Sequence, residues 1–211
     1  MVTIIPAILS HNLLDFHQKL QILAPWAPGV HIDIADGQFV DNTTLTYEAM
    51  APLLRESHLP IELHLMVAKP WPVAEMAADD SLARILIHAE TITSPIEYMT
   101  HLADGWPLGL VFNLTTSWGI WQRELATLSE IMLMGIEPGW QGKPFDSQVL
   151  KRLKFLKQHC PASKVALDGG VSAQTIKAIV AAGADQVVVG SALWNTSDPE
   201  KTYHELGVLV S

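Results

Sequence analysis

His31 and Asp33 stand two residues apart in Val30-His31-Ile32-Asp33-Ile34, so on an extended segment both side chains point to one face. His64 lies inside the apolar run Ile61–Val67, and Asp168 follows directly on Lys164–Leu167. A buried carboxylate is costly without a partner, so such residues at the ends of apolar runs call for an explanation. Taken singly, each histidine reads most simply as a hydrogen-bonded core residue. Taken together, His31, Asp33, His64 and Asp168 make a four-ligand set for one divalent transition metal ion, with positions left open for substrate oxygens. Zn²⁺, Fe²⁺, Mn²⁺ and Co²⁺ all suit that donor set.

Glycines make a second constellation. Gly139-Trp140-Gln141-Gly142 follows the run Glu130–Met134, Gly169-Gly170 follows Asp168, and Gly190-Ser191 follows Gln186–Val189. Glycine lets backbone amides approach an anion closely. One such pair would be an ordinary turn. Three successive loops with the same signal predict a seat for the phosphate of a small substrate.

Both constellations need a scaffold that gathers strand ends at one rim. Eight runs read as strands: Thr3–Leu9, Val30–Ile34, Ile61–Val67, Arg84–His88, Leu108–Phe112, Glu130–Met134, Lys164–Leu167 and Gln186–Val189. Between and after them, helical spacing predicts Leu13–Leu23, Thr46–Arg55, Val73–Ala78, Pro95–Ala103, Ile120–Leu125, Ser147–Gln158, Ala173–Ala182 and a last helix from Pro199. Near-continuous apolar strands suit a parallel sheet covered on both faces. The pattern predicts an α/β fold, a (β/α)8 TIM barrel forming a single domain over residues 1–211, with chemistry at the carboxyl ends of the strands. An open doubly wound sheet is the alternative.

The 211 residues carry 13 basic and 22 acidic side chains, a net charge of −9 with no Lys/Arg cluster, which argues against a nucleic-acid partner. A small phosphate is compatible with that acidity, because backbone N–H groups hold it without net positive charge. One cysteine, Cys160, excludes an internal disulfide and a multi-thiolate metal site. The amino terminus has no basic segment ahead of an apolar one, and no apolar run is long enough to span a membrane. A cytoplasmic protein without membrane association is expected. Seven tryptophans suggest that some serve an apolar interface, so a homo-oligomer is a possible state.

Five segments, in order, carry a family resemblance. They are Ile5–Ser10, His31–Val40 with its Asp36-Gly37-Gln38-Phe39, Glu62–Val67, Glu137-Pro138-Gly139-Trp140-Gln141-Gly142, and Asp168-Gly169-Gly170-Val171. Together they resemble the ribulose-phosphate 3-epimerases, from Ile4 to about Leu193. The resemblance implies a (β/α)8 barrel that interconverts ribulose and xylulose 5-phosphates by inverting C3. It implies His31, Asp33, His64 and Asp168 as metal ligands, Asp33 and Asp168 as the acid–base pair, and Ser10 and His64 as substrate contacts. Gly139, Trp140, Gln141, Gly142, Gly169, Gly170, Gly190 and Ser191 would hold the phosphate, while Met66 and Met134 would line the pocket. His88 and Glu90 also match the family's pattern, in a supporting role. Such a reaction passes through an enediolate and needs one proton-transfer group on each face of it.

The departures fall in the loops. Ala35 stands where the family has methionine, which predicts a roomier pocket. Gln141 replaces a glycine and would strain the backbone if that position needs a positive φ. Lys143, Asp41, Thr46 and Leu114 also depart. These changes motivate two alternatives: a 3-epimerase of a hexulose 6-phosphate, and a phosphometabolite-binding protein without turnover. Barrel enzymes built on a strand-borne lysine are disfavoured, since no lysine accompanies the aspartates of the second strand.

Overall fold

The computed structural model describes residues 2–78 and 82–210. Eight parallel strands close into a barrel in sequence order: β1 (Thr3–Ile8), β2 (Val30–Ala35), β3 (Ile61–Met66), β4 (Arg84–His88), β5 (Leu108–Phe112), β6 (Glu130–Met134), β7 (Lys164–Asp168) and β8 (Gln186–Val189). The pairing of β8 with β1, from Thr3 opposite Gln186 to Pro6 opposite Val189, closes the ring and excludes the doubly wound alternative. The surrounding helices are α1 (Leu13–Leu23), α2 (Tyr47–Glu56), α3 (Pro70–Ala78), α4 (Pro95–Ala103), α5 (Val149–His159), α6 (Ile176–Ala181), α7 (Ser191–Trp194) and α8 (Pro199–Val208).

Four elements differ from the sequence reading, the first being α3, which starts at Pro70, three residues ahead of the expected Val73. The helix expected over Ile120–Leu125 is two 3-10 turns, Gly119–Trp121 and Leu125–Thr127. Gly119 opens the segment at φ +44, and only Trp121 and Leu125 supply buried anchors. α6 begins three residues late because the Thr175 hydroxyl donates to Gly170 O and accepts from Ser172 N, holding the chain in a turn. α7 has only four residues, too short to show a period.

Strand alternation sorts the barrel into layers. Outward-facing residues such as Ile32, Leu63, Ile85, Leu110 and Leu167 join the helix core. Ala7, Leu86, Val111, Met132, Ala166 and Val188 form an apolar layer of their own inside the barrel. The amino-terminal ends of the strands carry a polar floor: Arg84 pairs with Glu130 at 2.9 Å, and Gln186 Nε2 donates to Glu62 at 2.8 Å. Asp33, His64 and Asp168 lie toward the other rim, where the strands end.

Candidate active site

The register between β2 and β3 sets Asp33 directly beside His64. His64 Nδ1 is 3.0 Å from Asp33 Oδ1 and 3.4 Å from Asp168 Oδ2, which arrives from β7. His31 Nε2 is 3.5 Å from Asp33 Oδ1 and 4.0 Å from Asp168 Oδ2. One ligand atom from each of the four residues lies within 4.8 Å of all the others. The four residues singled out in the sequence therefore converge.

Their electrostatics favour a cation among them. Burial opposes charge on His31, yet the neighbouring carboxylates of Asp33, Glu62 and Asp168 push its pKa up to about 10. Burial likewise opposes ionisation of Asp33, but the two histidines hold it well below the usual carboxylate range. Asp168 is shifted the other way, upward, by burial and by the charge of Asp33. Both ring nitrogens of His31 are buried without a hydrogen-bond partner. Orphaned imidazole nitrogens facing two carboxylates are the donor set of a divalent cation, and these residues fit one.

Further polar groups orient the histidines. Glu62 Oε2 stands 3.6 Å from His31 Nδ1. His64 Nε2 is hydrogen-bonded to His88 Nε2 at 2.9 Å, and His88 Nδ1 is 3.3 Å from Glu90 Oε2. Burial lowers the His88 pKa to about 4. Burial works against ionisation of Glu90, but His88, Thr116 and the Asn113 N–H bring its pKa down to about 2. Partners of this kind fix the rings of metal-binding histidines.

A cavity runs from Asp33 and Asp168, past Met66 and Met134, to Gly139, Trp140, Gln141, Gly142, Gly169, Gly170, Gly190 and Ser191. Asp33, Asp168 and all three glycine loops thus share one space. Leu9, Pro138 and Val171, from the segments that carry the family resemblance, also line it, as does Ile136, which carried no signal beyond hydrophobicity. His31 and His64 are fully buried and do not line it.

Ser10 lies elsewhere. Its buried hydroxyl donates to Asp15 Oδ2 at 2.6 Å in the first turn of α1, whose N-cap is Asn12. Ala35 packs with Val40, Met66 and Phe39 and does not line the cavity, so the smaller side chain opens no extra room there. The strain anticipated at Gln141 does not arise: positive φ falls on Gly139 and Gly142 either side of it, and among the described residues on no side-chain-bearing position. Lys143 turns to Glu137 at 3.1 Å instead of to the cavity. Of the tryptophans only Trp140 is exposed, and its Nε1 donates to Asp41 O at 2.7 Å, tying the loop after β6 to the loop after β2. Thr46 caps α2, and the Leu114 carbonyl accepts from Arg152.

Several supporting residues carried a signal that spacing alone left unread. Glu62 shares a strand face with His64, two residues away, as alternation requires. Asp36 Oδ1 accepts from Gln38 N and Phe39 N, and its Oδ2 from Ala68 N, joining the loops after β2 and β3. Asn42 Nδ2 reaches Gly139 O at 2.6 Å across 97 residues of sequence, a link no local pattern announces.

Comparison with known proteins agrees with this geometry. The model of the Ribulose-phosphate 3 epimerase family matches residues 3–194. The chain is 29% identical to ribulose-phosphate 3-epimerase of Aquifex aeolicus (strain VF5), covering 100% of this chain and 97% of that protein. It is 28% identical to the Mycobacterium leprae (strain TN) enzyme of the same name over 93% and 89% of the two chains. Among solved structures, orotidine 5'-monophosphate decarboxylase from Sulfolobus solfataricus superposes with a TM-score of 0.67 at 13% identity, over 100% of this chain and 98% of that one. That likeness speaks for the fold alone.

Proposed function

The chain belongs to the ribulose-phosphate 3-epimerase family and is an isomerase of the epimerase class acting on carbohydrates, and from that premise we propose that it inverts C3 of D-ribulose 5-phosphate to give D-xylulose 5-phosphate. The observation that carries this reading is the single cavity in which Asp33 and Asp168, from β2 and β7, meet three glycine loops.

A proton on the carbon beside a carbonyl is too weakly acidic for an unaided carboxylate. His31, Asp33, His64 and Asp168 would hold one divalent cation, Zn²⁺, Fe²⁺, Mn²⁺ or Co²⁺, which supplies Lewis acidity toward the substrate's oxygens. Inversion then needs a proton removed from one face of C3 and returned to the other. Asp33 and Asp168 project from different strands into the same cavity and are the pair for those two transfers, each contributing about 10²–10⁴-fold. Which of them acts first depends on the direction of the reaction. Met66 and Met134 wall the reacting end and exclude water from it. Backbone groups of Gly142, Gly169, Gly170, Gly190 and Ser191 hold the phosphate at the other end.

The ribulose-phosphate 3-epimerases among its relatives support the five-carbon sugar over a hexulose 6-phosphate. The test is exchange of solvent deuterium into C3 of ribulose 5-phosphate by metal-loaded protein, with turnover of the pentulose and hexulose phosphates compared. Exchange is expected in the wild type and is lost in Asp33→Asn and in Asp168→Asn. Absence of exchange in folded wild type overturns the epimerase reading, and a strong preference for the six-carbon sugar overturns the substrate.

A further inference from the structure

We propose that the carboxamide of Gln141 is a specificity-determining donor, binding the anionic end of the substrate with its Nε2–H₂ group beside Gly190. The inference rests on the reading of this cavity as the site of a phosphorylated ketose and names a side chain that grips the phosphate.

Gln141 lies across the backbone of Gly190. A Cβ added at Gly190 would stand 2.5 Å from Gln141 Nε2, 2.7 Å from its Cδ and 3.1 Å from its Oε1. Gly190 pairs φ −101 with ψ −93, outside the regions an L-residue occupies freely, and the space a Cβ would need there is filled by Gln141. The Nε2 atom is buried and has no hydrogen-bond partner. A buried N–H₂ group without an acceptor is an unfavourable state that a ligand oxygen would relieve.

The rest of the cavity leaves that task to Gln141. No lysine or arginine is among its lining residues. Lys143 lines the adjoining pocket, which shares Gly142, Gly170 and Ser191 with this one, and its Nζ is paired with Glu137 at 3.1 Å. Trp140 is the other lining residue with a side-chain N–H, and Asp41 O already takes it. Gln141 is therefore the side-chain N–H donor still free at the end of the cavity formed by Gly142, Gly170, Gly190 and Ser191. A neutral amide there, alongside backbone amides, suits an oxyanion with several lone pairs, a phosphate monoester or free inorganic phosphate.

The experiment measures KM for ribulose 5-phosphate and, separately, the dissociation constant of inorganic phosphate by calorimetry, in the full chain and in Gln141→Leu and Gln141→Glu. Melting temperature checks that each variant is folded. A hydrogen bond to a charged group predicts that Gln141→Leu weakens phosphate binding about tenfold or more and raises KM by a similar factor. Gln141→Glu keeps the shape but sets a like charge against the anion, and it is expected to weaken binding further. Phosphate binding unchanged or tightened in Gln141→Leu overturns the inference, because the side chain is then a bystander or an obstruction. A folded wild type that binds no phosphate and turns over no phosphorylated ketose overturns instead the reading on which the inference rests.

Discussion

Gly170 and Gly190 line the same cavity, yet replacing each with alanine should cost unequal amounts of stability. Gly170 sits at φ +71, in the left-handed region, and a Cβ there would lie 2.8 Å from Phe145 Cβ, 2.9 Å from Cδ2 and 3.1 Å from Cα. The left-handed conformation costs an L-residue about 1–2 kcal/mol. Overpacking adds about 1–3 kcal/mol, and the upper part applies because the Phe145 Cα is backbone and cannot rotate away. The sum is roughly 3–5 kcal/mol, which in a chain of this size lowers the melting temperature by roughly 6–20 °C. Gly190 pairs φ −101 with ψ −93, a strained conformation for alanine that costs about 1–3 kcal/mol, while the obstacle to a Cβ is only the far end of the flexible Gln141 side chain. Gly190→Ala should therefore lose less stability than Gly170→Ala while displacing Gln141, so that phosphate binding weakens in a variant that still folds. Thermal melts of the three proteins, with and without phosphate, decide the matter. A Gly170→Ala variant as stable as the wild type, or a Gly190→Ala variant that is the less stable of the two, would refute the reasoning.

Other consequences follow from the same geometry. Loading the His31, Asp33, His64 and Asp168 cluster with metal at about 100 times its Kd should stabilise the fold by about 2.7 kcal/mol, or roughly 5–10 °C in Tm; identical melts with and without chelator would contradict a cation site. Asp36→Ala removes three N–H acceptor contacts and should cost about 1.5–3 kcal/mol at neutral pH. Those backbone N–H groups outweigh burial and hold the Asp36 carboxyl below its ordinary 3.8, so its contribution is complete above that value and fades as pH falls through the lowered one. Denaturant titrations of wild type and Asp36→Ala should therefore converge at acid pH; a gap that persists there would show the loss to be independent of the charge. Arg152 donates to the carbonyls of Asn113 and Thr116 and stacks 4.4 Å from the Trp118 ring. Arg152→Ala should speed amide exchange across residues 113–118 while β6 and β7 stay protected, and uniform exchange would argue against a local clamp.

The barrel was legible because its strands follow the simplest rule available. Apolar runs such as Val187-Val188-Val189, buried on both faces, recur with helices between them, and closure of β8 on β1 follows from eight such units. The convergence of His31, Asp33, His64 and Asp168 was legible for a related reason. Alternation places His31 with Asp33 on one strand face, and a charged residue on an inward face stands out against the apolar residues around it. What sequence spacing could not supply is register between distant segments. Asn42 meets Gly139, and Trp140 meets Asp41, through contacts between loops whose conformations depend on each other. Ser10 shows the converse: the family resemblance implied a substrate contact, while in the fold its hydroxyl donates to Asp15 in the first turn of α1.

The division of labour between strands and loops explains where this chain departs from its relatives' pattern without disturbing the reacting centre. The residues of the His/Asp cluster are fixed by the strand ladder itself: Asp33 is in register with His64, and Asp168 with Val188. Moving any of them would shift a strand and break contacts with its neighbours. The glycine-loop part of the cavity is cross-braced through Trp140, Asp41, Asn42 and Gly139, so a side chain such as Gln141 can enter where the glycine opposite it leaves space. On the proposed reading, acidity and phosphate binding are compatible in one chain of net charge −9, because the carboxylates would do the proton transfer and neutral N–H donors would hold the anion.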